Sequence, residues 1–146
     1  MDRREMLMGI GSVAALAATS GIAFAAKKEG HEEHHHPAGN KALAMSALEC
    51  VSTAEAGIRH CIDEMGKGDK SLAECANKMN EVKLVCAALG SLASYDSGYT
   101  KEMAKLTARV CEETEKVCSK FDKHKPCMEC SESCKKCIEE CKKIGA

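Results

Sequence analysis

The chain has 146 residues, with 21 Lys and Arg against 22 Asp and Glu and a formal net charge of −1. That length suits one modest domain, and the near-neutral balance carries no electrostatic footprint for nucleic acid. Eleven Cys and eight Met stand beside no Trp, two Phe and two Tyr. A core built on aromatic bulk is thereby excluded, and sulfur chemistry, as a disulfide scaffold or as metal binding, is the class to test.

The chain opens MDRREMLMG, and an uncharged run from Met6 to Phe24 overlaps a closing Ala23-Phe24-Ala25. A basic start, an apolar middle and an A-x-A site make a secretory signal. Arg3-Arg4, with Met6-Leu7 after one spacer, resembles a twin-arginine signal, with Met6 in place of the usual Phe and Met8 in place of the usual Lys. A retained membrane anchor is the weaker alternative, because Ala/Gly-rich segments insert poorly. Residues 1–25 are read as this signal, and the protein as exported to the periplasm already folded. Its thiols would then be enclosed before they met an oxidising compartment. Residues 26–40 (AKKEGHEEHHHPAGN) are polar and lack periodicity, which reads as a flexible leader. Its His31, His34, His35 and His36 are either part of a solvated linker or imidazole ligands for Cu(II), Zn or Ni.

Four helical segments follow. The first covers about 41–66, with Leu43, Ala47, Cys50, Ala54, Gly57, Cys61 and Met65 recurring at steps of three or four on one face. Gly66-Lys67-Gly68-Asp69 ends it, and Asp69 or Ser71 can cap the second helix. That helix covers about 71–94 and turns Leu72, Cys75, Met79, Val82, Cys86, Leu89 and Ala93 inward. After the turn Tyr95-Asp96-Ser97-Gly98, a third covers about 99–122 with Ala104, Thr107, Cys111, Thr114, Cys118 and Phe121 inward. Pro126 suits the first turn of a fourth that reaches about Ile144. No strand-like alternation appears. Short loops between four helices predict an all-α, antiparallel up-down-up-down four-helix bundle over 41–146.

The fourth segment holds CMECSESCKKCIEEC, Cys127 to Cys141. Its steps of three, four, three and four keep Cys127, Cys130, Cys134, Cys137 and Cys141 on one helix face, at core positions of a bundle. Cys50 and Cys86, and Cys61 and Cys75, are symmetric about Gly68; Cys111 and Cys137, and Cys118 and Cys130, are symmetric about His124. Each antiparallel hairpin should therefore bring two thiol pairs to matching depths and build a column of sulfur along the axis.

Several chemistries compete for such a column. Buried cysteine can act as a small hydrophobe, but eleven would leave a thin core. Disulfides would leave one of eleven thiols over, and pairs along one helix are badly directed for S–S geometry. The spacing does not match a ferredoxin-type loop. Zinc asks for compact sets of four ligands, and the ladder does not break into fours. Cu(I) is selected by thiolate and thioether ligands. Two thiolates can bracket one ion, and each ion cancels one thiolate charge that would be costly in a dry core. Met65 and Met79 lie on the cysteine faces as thioethers that either bind or pass Cu(I) or fill the core. Met45, Met103 and Met128 lie off the main stripe.

The chain resembles the copper storage protein family over about residues 41–144, most specifically in PCMECSESCKKCIEEC at 126–141. The resemblance implies a cysteine-lined four-helix bundle storing many Cu(I) ions, often as a tetramer, with exported members carrying twin-arginine signals. It implies ligation by Cys50, Cys61, Cys75, Cys86, Cys111, Cys118, Cys127, Cys130, Cys134, Cys137 and Cys141. Thr107, Thr114, Gly57, Ala54, Met79 and Val82 stand where further thiols would extend the column. Met65, Cys127, His124 and His60 fall together near the Gly68 and His124 turns, the expected end for copper uptake. No nucleophile–base pair, phosphate loop or inward carboxylate dyad points to an enzyme. The expected partners are copper ions and a cuproenzyme or other copper acceptor. The rival reading is a disulfide-stabilised or redox-sensing exported helical protein.

Overall fold

The computed structural model describes residues 38–145. The signal expected at 1–25 and the histidines 31–36 lie outside these residues. Four α-helices carry the fold: α1 over Ala38–Gly66, α2 over Ala73–Ser94, α3 over Thr100–Cys118 and α4 over Lys125–Lys143. α1 packs on α2 and α4, and α3 packs on the same two. The helices thus form a ring of antiparallel neighbours, the four-helix bundle expected from the sequence. At 1.5 Å per residue α1 is about 44 Å long and α4 about 29 Å.

The helix ends follow local chemistry. At the end of α1, Gly68 adopts φ 107°; its N–H reaches Met65 O at 3.0 Å and Asp69 N–H reaches Glu64 O at 3.1 Å. This is a Schellman closure, and the positive φ calls for glycine. The carboxylate of Asp69 then accepts from Ser71 N–H and caps a short 3-10 turn, Lys70–Leu72, which leads into α2. α2 therefore starts at Ala73, two residues later than expected. Its other end repeats the closure with Asp96 at φ 51°: Ser97 N–H donates to Leu92 O at 3.0 Å and Asp96 N–H to Ala93 O at 3.3 Å. Asp tolerates this left-handed position better than most side chains.

Two boundaries move inward or outward for tertiary reasons. α1 begins at Ala38, three residues into the segment read as leader, and Asn40 in its first turn donates to the carboxylate of Asp96 across the bundle end. α3 stops at Cys118 because Phe121 N–H bonds Cys118 O and His124 N–H bonds Phe121 O, which curls the chain towards α4. Phe121 is consequently half-buried beside the core, outside the helix.

The core is built from small and sulfur-bearing side chains. All eleven cysteines are fully buried, with Leu43, Ala47, Ala54, Leu72, Met79, Val82, Leu89, Ala93 and Ala104. The positions where thiols are missing from the stripes, Gly57, Thr107 and Thr114 among them, are buried too. Lys and Glu line the outside, and pairs such as Lys78–Glu113 at 2.9 Å and Lys136–Glu49 at 2.8 Å link neighbouring helices. Exposed pairs of this kind contribute at most about 1 kcal/mol each, so burial holds the fold. None of the described helices is long and apolar enough to cross a membrane.

Candidate metal centre

The hairpin symmetry is realised in three dimensions. The Sγ atoms of Cys50, Cys86, Cys111 and Cys137, one from each helix, all lie within 4.8 Å of one another. These are two of the four symmetric pairs closed into one layer. Cys61 and Cys75, a third pair, form a second set with Cys127 under the same 4.8 Å limit. Cys118, of the fourth pair, lies 3.0 Å from Cys75.

The two sets are joined. Cys130 and Cys134 stand between them on α4, and their acidities respond to thiols on both sides: Cys118 and Cys134 for Cys130, Cys111, Cys130 and Cys50 for Cys134. Cys141 attaches through Cys137. All eleven cysteines are therefore part of one chain of buried thiols, with Cys130 and Cys134 between the two sets. Between Cys130 and Cys134 that chain runs along α4 alone. At this depth α1 offers Gly57 and Ala54, α2 offers Met79 and Val82, and α3 offers Thr114, whose hydroxyl donates to Val110 O and Lys78 O. The sequence leaves the partners of Cys127, Cys134 and Cys141 undetermined. Cys127 meets Cys61 at 3.9 Å across the bundle, Cys134 is the bridge, and Cys141 is a terminus.

One expectation needs correction. The spacing of the ladder shows no break into fours, yet Cys50, Cys86, Cys111 and Cys137 make one compact four-thiol set. The stripe of a single helix does not show this, because the set takes one residue from each helix. The remaining seven thiols do not repeat it among the described residues.

Close packing of thiols separates their acidities. Cys75 is held down to about 4 by hydrogen bonds from Cys118 and then Cys127, against its burial. Cys130 is held to about 4 by Cys118 and Cys134. Cys50 falls to about 5 through Cys111 and Cys134, with Cys137 opposing, and Cys137 is lowered by Cys111 and then Cys141. Their donors move the other way. Burial, followed by the charge of Cys75, pushes Cys61 up to about 11. Hydrogen bonding to Cys130 raises Cys118, to Cys75 raises Cys127, to Cys111 raises Cys134 and to Cys137 raises Cys141. Cys86 and Cys111 each gain one bond that favours the thiolate, from Cys111 and Cys134 respectively. Bonds to Cys137 and Cys50, with burial, outweigh it and both rise. A few thiolates are thus held among S–H donors, which is how buried charge is tolerated without a counter-ion.

The thioethers divide. Met79 is fully buried and fills the space left by the missing side chain of Gly57: a Cβ there would lie 2.4 Å from Met79 Sδ. Met65 is half-buried at the edge of the core. Met103 and Met128 are half-buried and Met45 is exposed, as expected off the stripe. At the end that carries Cys61, Cys75 and Cys127, His60 Nε2 and His124 Nδ1 lie 2.8 Å apart, and the His124 ring meets Phe121 edge-on.

Sequence reasoning missed a hydroxyl contact beside the bridge. Thr53 on α1 and Ser133 on α4 share a 2.6 Å hydrogen bond, and Thr53 adds a small lowering to the Cys130 pKa. Ser133 lies off the cysteine stripe, so helical periodicity gave no signal for it.

Comparison with known proteins agrees with this geometry. The structure matches "Cu(I)-bound Copper Storage Protein BsCsp3" at a TM-score of 0.68 and 26% identity, covering 74% of this chain and 99% of that one. Apo-Csp3 (copper storage protein 3) from Bacillus subtilis matches at a TM-score of 0.65 and 25% identity, covering 73% and 99%. No curated protein matches the chain significantly in sequence. The family model described as copper storage protein matches residues 34–146, and the chain belongs to the copper storage protein family.

Proposed function

We propose that this protein stores multiple Cu(I) ions inside its bundle, held by the eleven core thiolates. The observation that carries this reading is eleven thiols, all fully buried, seven of them gathered in two clusters with no more than 4.8 Å between the thiols of each. Soft thiolates favour Cu(I) over hard cations, and each bound ion cancels a thiolate charge and displaces the proton wherever the thiol still carries one. A dry column loaded with about one ion per thiol is nearly neutral, whereas the same column of bare thiolates would be strongly disfavoured. The family points to storage in place of catalysis.

Anaerobic titration with Cu(I) against a chromogenic chelator, after a thiol count, tests this directly. Storage requires close to eleven titratable thiols and uptake of many equivalents. Uptake of a single equivalent, or few free thiols in the purified protein, would sink it and favour the disulfide-stabilised alternative. A parallel Zn(II) arm addresses the four-thiol layer, which is a plausible tetrahedral site by ligand type. Storage predicts that Cu(I) displaces any zinc held there.

Several finer readings go with this function. Arg3-Arg4 and the Ala23-Phe24-Ala25 site support export to the periplasm through a twin-arginine route, and an Arg3→Lys/Arg4→Lys variant should stay in the cytoplasm. The His31–His36 cluster is a second metal-binding candidate outside the bundle. Copper is taken up at the end bearing Met65, His60, His124 and Cys127, and Met79 is a thioether neighbour of the column. Assembly as a homotetramer follows the family resemblance and is tested by native mass measurement. A copper acceptor, such as a cuproenzyme, would draw on the store.

A further inference from the structure

The column ends at Cys141, and that end poses a charge problem. Inside the column a thiolate can bridge two ions, so its charge is shared. Cys141, the last thiol of the α4 stripe, belongs to neither of the two thiol sets. Beyond it the core turns apolar, with Leu43, Leu89, Ala93 and Ala104 all fully buried. A thiolate there binds one ion on one side and keeps uncompensated charge on the other, in surroundings without water. Such a group needs a hydrogen-bond donor.

The core holds a donor at that end that is idle. Thr107 is fully buried, yet its Oγ1 has no hydrogen-bond partner among the described residues. A buried hydroxyl left unsatisfied is unfavourable and calls for an explanation. Its neighbour on α3 shows the alternative: Thr114 satisfies its hydroxyl on Val110 O. Thr107 and Cys141 are symmetric about His124, just as Cys111 and Cys137 are. They lie one helical turn beyond that pair, on α3 and α4 respectively, and the pair itself closes to within 4.8 Å. Thr107 therefore sits at the depth of Cys141 on the facing helix. Ser46 and Ser131 are also unpartnered, but Ser46 stands off the Leu43–Ala47–Cys50 stripe, lining the groove between α1 and α4 with Glu49 and Lys136, and Ser131 lies about three helical turns before Cys141 on α4.

We infer that Thr107 is the residue that terminates the copper column, its hydroxyl donating a hydrogen bond to the Cys141 thiolate once Cu(I) is bound between Cys137 and Cys141. On loading, the Cys141 S–H gives its proton to solvent as the Cu–S bond forms, while the Thr107 O–H keeps its proton and donates it. An orphan donor in the empty protein and an orphan charge in the loaded one are resolved by the same contact. Thr107 is thus a positioning residue: it binds no metal itself. The inference rests on the copper-storage reading above.

Three variants test it: Thr107→Val, which keeps the shape and removes the hydroxyl, Thr107→Ser, which keeps the hydroxyl, and Cys141→Ser. Copper capacity and weakest-site affinity are read by anaerobic chelator competition, and thermal unfolding is read on the metal-free protein. Thr107→Val should melt a few degrees higher when empty, yet hold its weakest ion about tenfold less tightly. Thr107→Ser should hold that ion as the wild type does. Adding Thr107→Val to Cys141→Ser should cost no further copper. The opposite signs exclude a packing role, which would weaken both states together. Unchanged copper binding in Thr107→Val, or a metal-free variant that melts lower or fails to fold, overturns the inference. Wild-type protein that takes up no series of Cu(I) ions overturns the storage reading first, and this proposal with it.

Discussion

Gly57 and Met79 form a complementary pair: the thioether of Met79 occupies the place where a side chain on Gly57 would stand. A Cβ at Gly57 would lie 2.4 Å from Met79 Sδ and 2.7 Å from its Cε. Glycine inside a 29-residue helix normally costs about 1 kcal/mol relative to alanine, so α1 gives up helix propensity to let the thioether into the core. Gly57→Ala should recover that propensity but force Met79 from its fully buried position. Overpacking typically costs about 1–3 kcal/mol, which leaves a net loss of about 1 kcal/mol in urea unfolding of the metal-free protein. In Gly57→Ala/Met79→Ala the clash is gone, and the double variant should be more stable than the sum of the single changes. Additive effects would mean the two side chains are independent.

Cys130 and Cys134 stand on α4 between Cys127 of one thiol set and Cys137 of the other. Removing either divides the column, whereas removing Cys141 shortens it at one end. Cys134→Ser should therefore lose more copper per thiol removed than Cys141→Ser, and its chelator competition curve should split into two filling phases. Equal losses for the two variants would show that the sets fill independently and that the bridge has no role in storage.

How much of this was legible in the sequence depends on the kind of signal. The stripe from Cys127 to Cys141 and the symmetry about Gly68 and His124 are properties of spacing, and they gave the bundle, the inward thiols and the matched depths. Four features were not legible for physical reasons. The four-thiol layer takes one residue from each helix, so no single stripe contains it. Phe121 looks inward by periodicity, but α3 ends at Cys118 once backbone hydrogen bonds curl the chain toward His124. The Gly57–Met79 fit depends on volume across two helices, and spacing carries no volume. The Thr53–Ser133 bond likewise joins residues 80 positions apart, neither of them on a cysteine stripe.

Proton release should report the split in thiol acidity. Cys61 is pushed up to about 11, so at neutral pH its proton must leave when Cu(I) binds. Cys75 and Cys130, held near 4, are already thiolates and release nothing. Protons counted in a pH-stat during anaerobic loading at neutral pH should therefore number fewer than the thiols that bind copper. The sign for affinity follows. Each displaced proton weakens binding by about tenfold per unit of falling pH, and the slope should steepen as pH drops through about 4, where Cys75 and Cys130 also take up protons. A proton count equal to the thiol count at neutral pH would show that none is ionised beforehand.

Copper uptake should depend on the end that carries His60 and His124. Their ring nitrogens meet at 2.8 Å, beside the Cys61, Cys75 and Cys127 set, and half-buried Met65 flanks the core on α1. Imidazole and thioether are the neutral ligands that can pass Cu(I) inward without adding charge. The opposite end is closed by Leu43, Leu89, Ala93 and Ala104, which offer an ion no ligand. His60→Ala/His124→Ala and Met65→Leu should each slow Cu(I) transfer from a chelator severalfold while leaving the final capacity unchanged, because the storage thiols are intact. Cys127→Ser should slow uptake and also lower capacity, since its thiol belongs to both the opening and the store. Stopped-flow transfer kinetics paired with end-point titration separate the two effects. If none of these variants changes the rate, ions enter elsewhere, and the bundle must open along a helix interface to admit them.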